Sequence, residues 1–591
     1  MIDKDALKLK YAEERAKRLR PDGPLQYRKW TGDETDPFTP RVERAPRRDH
    51  VTVAFIGGGL GGLVTGARLK EAGVDDVRLI EQGGDFGGAW YWNRYPGAQC
   101  DTASFVYLPL LEETGYMPTE KYAHGPEILE HCQRIGKHYG LYDNALFHTK
   151  VTDLEWDQAR SRWIVRTDRG DEFTAQFVCL GTGPLHVPKL PGIPGIETFG
   201  GHSFHTSRWD YAYTGGDPLG APMDKLADKR VAIVGTGATA VQCVPRLAEA
   251  ARELFVFQRT PSSVDVRNNQ PTDPEWFASI ATPGWQQRWL ENFTANQSGS
   301  AREDLVMDAW SDLARRARDH IRKLSRAQLT REGISEAYEN ADFEKMEEIR
   351  ARVDAVVEDP ETARRLKAWY KQLCKRPCFS DEYLQSFNRP NTHLVDTDGR
   401  GVTRITERGL VVGEVEYPVD CVIYASGFEV STPFTDRSGF DLTGRTTTLA
   451  RYWEEGMRTL HGIHVHGFPN VFVVQPSHGA RLIANIPHNL LESGTTIAQI
   501  VKHALDHGYA EVEVTKQAED AWMDLLLGST SNVGAPDCTP GSYNNEGQDT
   551  GPRRSFFVGH PQGAQVFFRY IKEWRSSGAF EGLEFRAGAQ P

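Results

Sequence analysis

The chain has 591 residues, which at roughly 150 residues per domain makes room for several units and excludes a single small fold. Its 69 Lys and Arg against 81 Asp and Glu leave a formal charge of −12, which excludes a protein that grips nucleic acid or an anionic membrane through its overall field. Apolar residues at 39% and charged residues at 25% fit an ordinary globular enzyme, and 56 Gly with 33 Pro fall short of low complexity, so the glycines need local reasons.

Eight scattered cysteines are too few for a disulfide-stapled secreted domain, the charged N-terminus has no apolar stretch like a signal peptide, and no run reaches the roughly 18 apolar residues of a membrane span. The expectation is a cytoplasmic protein with no nucleic-acid, membrane or metal partner.

In chain order, residues 4–20 read as a charged helix closed by the breakers Pro21 and Gly23, a packing arm within an extension covering 1–50. An apolar run over 51–56 enters a glycine loop and a helix over 63–72, and a second run over 77–80 ends at Glu81: a βαβ opening. Residues 151–180 alternate as a β-meander. Prolines 184, 188, 191 and 194 then form a stiff linker. The same order repeats with a run over 231–234, a second glycine loop, a helix, a strand over 254–257, a meander over 402–417 and an apolar strand reaching Phe428. Residues of about 270–370 are charged and helix-patterned, an insertion in the second unit. The fold class is therefore α/β, with two Rossmann-like dinucleotide-binding domains, β-meanders and a helical insertion. The expected division is 1–50 extension, 51–190 first part of the first dinucleotide-binding domain, 191–400 the second such domain, and 401–591 second part of the first with the C-terminal region.

Gly57, Gly59 and Gly62 have the spacing that gives a tight turn, close approach to a pyrophosphate and close helix–strand contact, and Glu81 stands where a carboxylate accepts ribose hydroxyls. The second loop has Gly235, Gly237 and Ala240, and its following strand ends in Gln258, Arg259 and Thr260 in place of an acid. An arginine there binds a 2′-phosphate that a carboxylate would repel, so NADPH is expected over NADH. A disulfide reductase would need a redox cysteine pair; the close pair Cys374 and Cys378 reads as two unrelated buried thiols.

The linker narrows the class. Phe199, Gly201, His205, Trp209 and Asp210 satisfy FxGxxxHxxxW(P/D) at every fixed position, and with these residues the chain strongly resembles the type I Baeyer–Villiger monooxygenases. The resemblance covers nearly everything after residue 50. It implies FAD and NADPH as cofactors, O2 and a small-molecule ketone as substrates, and attack of a C4a-peroxyflavin on the ketone to give an ester or lactone. Residues 87–101 are similar to a segment lying along the flavin and ending in a required acid, here Asp101; 374–377 are similar to the segment carrying the catalytic cation, here Arg376, with Lys375 on the NADP phosphate. Residues 425–428 resemble the family's closing Ala-Thr-Gly motif, with Ser426 in place of Thr. The cofactor-binding residues expected are Ala89, Trp90, Tyr91, Trp92, Gln99, Cys100, Tyr107 and Val151 beside FAD, and Thr236, Ala238, Thr239, Val241, Gln258, Thr260 and Lys375 beside NADP. In the family His205 acts on domain arrangement rather than as acid or base. One departure is the stretch 539–547, which lacks the Trp-Tyr pair many members place near the nicotinamide ribose. The long extension and insertion resemble a subgroup that includes enzymes of terpenoid antibiotic pathways, favouring bulky cyclic or polycyclic ketones. An N- or S-hydroxylating flavin monooxygenase and a non-enzymatic NADPH-sensing flavoprotein are the alternatives.

Overall fold

The computed structural model describes residues 3–29, 36–430, 432–475, 477–480, 485–528, 537–548 and 558–588. The apolar run expected at 51–56 forms the strand His50–Ile56, whose near-continuous burial suits a central parallel strand. It pairs in parallel with Val77–Ile80 on one side and with Glu172–Leu180 on the other. Val151–Asp157, Arg162–Thr167 and Glu172–Leu180 make the antiparallel meander. Glu172–Leu180 is long enough for two partnerships: its first half pairs with Arg162–Thr167, and its last residues pair in parallel with Val471–Val473. Leu442–Thr443 adds against Val151–Asp157 to complete seven strands.

The second sheet has five parallel strands in the order Thr392–Asp396, Glu253–Gln258, Arg230–Val234, Cys421–Tyr424, His202–His205. This corrects the boundary expected near residue 400. Cys421–Tyr424 lies between two strands of the second sheet, and without it the inner edges of both would be left with unpaired backbone groups. The meander Arg404–Ile405, Gly409–Val412 and Val415–Pro418 leads into it and packs Ile405 and Leu410 against Phe255, Phe257 and Tyr424.

The extension is built into both units. Its helix Lys4–Ala16, N-capped by Asp3, is shorter than the expected 4–20, and Tyr27–Lys29 adds antiparallel to Lys189–Pro191 of the proline linker. Arg18 Nε donates to Thr260 Oγ1 at 3.1 Å, which fixes the arm against the second unit.

The insertion comprises Pro274–Ile280, Trp285–Gln297, Asp312–Ile321, Arg331–Val356 and Pro360–Leu366. It does more than decorate the second unit: Trp285, Trp289, Leu290 and Phe293 join the first unit's core with Phe105, Val106 and Leu108. Lys345, on the long helix, lies 2.6 Å from Asp265 and 3.1 Å from Asp312, an ion network buried between helices and a short strand.

The cysteines require a correction. Cys374 forms a disulfide with Cys538, 164 residues away, inside a small apolar cluster with Met346, Ile349, Ala368 and Tyr370. Cys378 is a buried free thiol, so the reading of two unrelated thiols holds for it alone. Among the described residues, no helix is long and apolar enough to cross a membrane, and no group of three or more His, Cys, Asp or Glu is placed to hold a metal ion.

Phe293 is fully buried where the insertion meets the first unit. Phe293→Ala is expected to cost about 3–5 kcal/mol and to lower the urea midpoint of unfolding; an unchanged midpoint would place the insertion outside that core.

Candidate active site

Gly57 has φ 117°, and a Cβ on it would lie 2.3 Å from the Gly181 carbonyl, so no other residue fits the first loop there. A Cβ on Gly62 would meet the Gly57 carbonyl at 2.2 Å, so Gly62 serves the close helix–strand contact, while Gly57 and Gly59 line a cavity of about 1180 Å³ that runs past both glycine loops. Glu81 also lines it. Its two oxygens accept from the Gly58 and Gly83 amides, each at 2.6 Å, and burial raises its pKa.

Ala89, Trp90, Trp92, Gln99, Cys100, Tyr107 and Val151 line this cavity, and Trp90 Nε1 donates to the Tyr107 hydroxyl at 3.0 Å. Tyr91 does not. It is fully buried, donates to Asp36 at 2.5 Å and accepts from the Thr39 hydroxyl at 2.7 Å, partners that lie away from the cavity wall. The second loop divides the same way: Gly235, Thr236, Gly237, Ala238 and Thr239 line the cavity, whereas Ala240 and Val241 are in the second unit's core. Gln242, unanticipated from the sequence, ties the units together by donating to the Gln99 carbonyl at 2.8 Å and accepting from the Tyr95 hydroxyl at 2.8 Å.

Asp101 ends the first unit's segment as a carboxylate held between two guanidinium groups. Arg376 Nη1 lies 2.5 Å from its Oδ2, and Arg267 Nη2 donates to its Oδ1. The side chains of Asp101 and Arg267 are 2% and 6% exposed, whereas that of Arg376 is 40% exposed and faces the cavity. Burial works against the charge of Arg376, yet the Asp101 carboxylate holds its pKa above the ordinary arginine value. Arg267 does not line the cavity and gives three further donors to the carbonyls of Cys100 and Phe379. The short parallel pair Val264–Asp265 with Cys378–Phe379 brings both arginines to the acid.

The insertion supplies two residues that the sequence reading missed. Trp310 donates from Nε1 to the Asp101 carbonyl at 3.1 Å, and Arg376 sits 5.6 Å from its ring centre. Asp308, wholly buried, accepts from the amides of Ala103 at 2.7 Å and Trp310 at 2.9 Å; burial pushes it up to about 6. No motif marks either residue.

At the far end, Arg259 donates to Gln26, to the Tyr27 hydroxyl at 3.3 Å and to Glu546 Oε2 at 3.2 Å. Thr260 and Lys375 line the same end, and so does Gln258, which is anchored by donating to the Arg365 carbonyl at 2.9 Å. Burial, then the charge of Arg259, lowers Lys375 to about 8.

The linker fingerprint residues hold the linker in place. His205 is fully buried, its pKa pushed down to about 3 by burial and then Arg208, so it is neutral; with Nδ1 accepting from the Ser207 amide, Nε2 donates to the Gly427 carbonyl at 3.1 Å. This pins the linker to the 425–428 motif. Trp209 Nε1 donates to Thr214 at 3.1 Å, Asp210 caps the turn at Tyr213, and a Cβ on Gly201 would collide with the Phe199 ring at 2.6 Å.

The residues present fit two dinucleotides. Gly237 and Gly427 would bear a Cβ into open space, and the buried Thr182 hydroxyl on the cavity wall has no partner among the described residues, as a site for a hydroxyl- and phosphate-rich ligand requires.

Removing Asp101 strands a buried cation, whereas removing Arg376 leaves Asp101 and Arg267 paired. Asp101→Ala is expected to cost about 3–5 kcal/mol in chemical denaturation and Arg376→Ala clearly less; equal losses would show that Arg267 does not depend on the acid.

Residues 54–274 match the pyridine nucleotide-disulphide oxidoreductase family. Over their full lengths the chain is 50% identical to neopentalenolactone D synthase of Streptomyces avermitilis. It is 46% identical to a Baeyer–Villiger monooxygenase of Stachybotrys chlorohalonatus, over 98% of this chain and 94% of the other. Among solved structures, the polycyclic ketone monooxygenase of Thermothelomyces thermophila superposes with a TM-score of 0.90 at 38% identity over 99% of each chain. A more distant structure of the same fold, at a TM-score of 0.72 and 26% identity, holds both FAD and NADP. The two glycine loops, the linker fingerprint and the acid–arginine pair are thus those of a protein related end to end to known oxygenases, and the chain belongs to the Baeyer–Villiger monooxygenases, enzymes that use FAD and NADPH.

Proposed function

We propose that this enzyme inserts one oxygen atom beside the carbonyl of a bulky cyclic or polycyclic ketone, converting ketone, O2, NADPH and a proton into an ester or lactone, NADP+ and water. The observation that carries the reading is Arg376: a guanidinium facing the cavity, its far side held by a carboxylate that a second, buried arginine immobilises. Bound FAD supplies oxygen activation, with NADPH as its reductant. The chain's part is to stabilise charge. When oxygen adds to a ketone, the carbonyl oxygen becomes anionic, and a guanidinium stays charged at every working pH. Asp101 and Arg267 position it, while Trp310, Tyr107, Ile486 and Leu490 give the cavity a largely apolar wall suited to a ring system. Arg259 and Lys375 take the NADPH 2′-phosphate in this reading. The names neopentalenolactone D synthase and polycyclic ketone monooxygenase support the polycyclic class, and the first supports a place in terpenoid antibiotic biosynthesis.

Arg376→Ala is expected to keep NADPH-driven flavin reduction while ester yield falls by about 10²–10³ or more. Stopped-flow spectra with product analysis across polycyclic ketones, cyclohexanone-sized ketones, amines and sulfides test both the role and the class; normal ester yield refutes the role, and amine or sulfide oxidation without lactone refutes the class.

Lys375, lowered to about 8, is charged below that pH and neutral above it in the empty site. Anion binding favours the charged form, so NADP+ affinity is expected to weaken, with proton uptake on binding, as the pH rises above about 8. Calorimetry in buffers of different ionisation heat reads this directly. Lys375→Arg should abolish the dependence; a wild-type affinity constant across this range would remove Lys375 from the site.

A further inference from the structure

The far end of the second dinucleotide fold holds a carboxylate where an anionic ligand group is expected. Arg259 leaves the strand Glu253–Gln258, and three side chains enclose its guanidinium: Gln26 and Tyr27 of the extension, and Glu546 of the segment 537–548. Glu546 is 4% exposed, so its charge is out of bulk water, and its second oxygen accepts from the Tyr27 hydroxyl at 3.1 Å. Lys189 Nζ lies 3.7 Å from the centre of the Tyr27 ring, and Lys375 Nζ donates to the Pro540 carbonyl at 3.4 Å, so two lysines stand near the Arg259–Glu546 pair. The backbone delivers the carboxylate at a cost: Asn545 and Glu546 have φ of 50° and 56°, a left-handed region that non-glycine residues avoid. The start of the segment is fixed by the Cys374–Cys538 bond and by Lys371 paired with Asp537 at 2.8 Å, so Glu546 reaches the site from an anchored stem.

We propose that Glu546 is a resident competitor for the cofactor phosphate: its carboxylate occupies the 2′-phosphate position on Arg259 in the cofactor-free enzyme, is displaced only by a ligand carrying that phosphate, and so holds the affinity for NADPH below what Arg259 alone would give. This rests on the reading of Arg259 as the 2′-phosphate site. A carboxylate has one negative charge, whereas a phosphate monoester has about 1.5–2 at neutral pH and three acceptor oxygens, so the phosphate wins the fork and the carboxylate yields. NADH offers a neutral hydroxyl there. It cannot break the ion pair, and it meets an arginine already neutralised and unavailable. The preference for NADPH thus comes from the cation that attracts the phosphate, and the resident acid lowers the affinity of the phosphate-bearing ligand without changing that of NADH.

The test is calorimetric titration of the FAD-loaded enzyme with NADP+, NAD+, 2′,5′-ADP and 5′-AMP. Glu546→Gln keeps the shape and removes the competing charge, so NADP+ and 2′,5′-ADP should bind roughly three- to thirty-fold tighter, while NAD+ and 5′-AMP are unchanged. Tyr27→Phe, which removes only the hydroxyl that holds the carboxylate, should shift NADP+ affinity in the same direction by less. NADP+ binding unchanged or weaker in Glu546→Gln overturns the proposal, as does a loss of NAD+ affinity, which would make Glu546 a ribose-hydroxyl acceptor. Arg259→Ala separates the two levels. If it erases the NADP+ preference while Glu546→Gln does nothing, this proposal fails alone; if it leaves the preference intact, the assignment of Arg259 fails and takes this proposal with it.

Discussion

The site depends on one buried carboxylate shared by two arginines. Asp101 is almost fully enclosed, and an isolated carboxylate there would be prohibitively desolvated. Arg267 provides the compensating charge inside the protein and gives three more donors to two backbone carbonyls. That leaves Arg376, held by the other carboxylate oxygen, as the member that faces the cavity. An arginine fixed on one side and open on the other is a preorganised positive potential, which needs no rearrangement when negative charge appears in front of it.

Much of the surrounding architecture serves this triad. The short strand pair Val264–Asp265 and Cys378–Phe379 sets the two arginines, and Lys345 of the long insertion helix holds Asp265 through an ion pair. Asp308 and Trp310, from the same insertion, tie down Ala103 and the Asp101 carbonyl. The insertion therefore packs against the first unit and also fixes the charged group of the site from behind. The N-terminal arm has a parallel role at the other end of the cavity, where Gln26 and Tyr27 close around Arg259.

The two glycine loops, the meanders and the linker fingerprint were legible in the sequence because each is local: a spacing, a period or a fixed motif. That Asp101 and Arg376 belong to one site was legible only through resemblance, since 275 residues separate them. Arg267, Gln242, Trp310 and Glu546 gave no signal, because a lone arginine, glutamine, tryptophan or glutamate in a polar stretch reads as surface until the chain is folded. The Cys374–Cys538 bond escaped for the same reason. Tyr91, Ala240 and Val241 are different: they share a motif with residues that line the cavity but lie buried behind its wall. The division at residue 400 falls inside the second repeat, whose pattern runs on through a meander to the strand Cys421–Tyr424 that fills the sheet.

The double partnership of Glu172–Leu180 has a consequence for how the protein is made. Its last residues, paired on one edge with His50–Ile56, stay without their second parallel neighbour until Val471–Val473 has been synthesised, and the second sheet lacks an inner strand until Cys421–Tyr424 has emerged. At about 5–20 residues per second, the nearly 300 residues between those first-sheet partners take on the order of fifteen seconds to a minute to translate. Through that interval the nascent chain carries a half-paired apolar strand, and the whole second unit has to be threaded between the two halves of the first. The order in which this molecule becomes stable therefore runs against the order of its sequence, with the unit that begins first among the last to close.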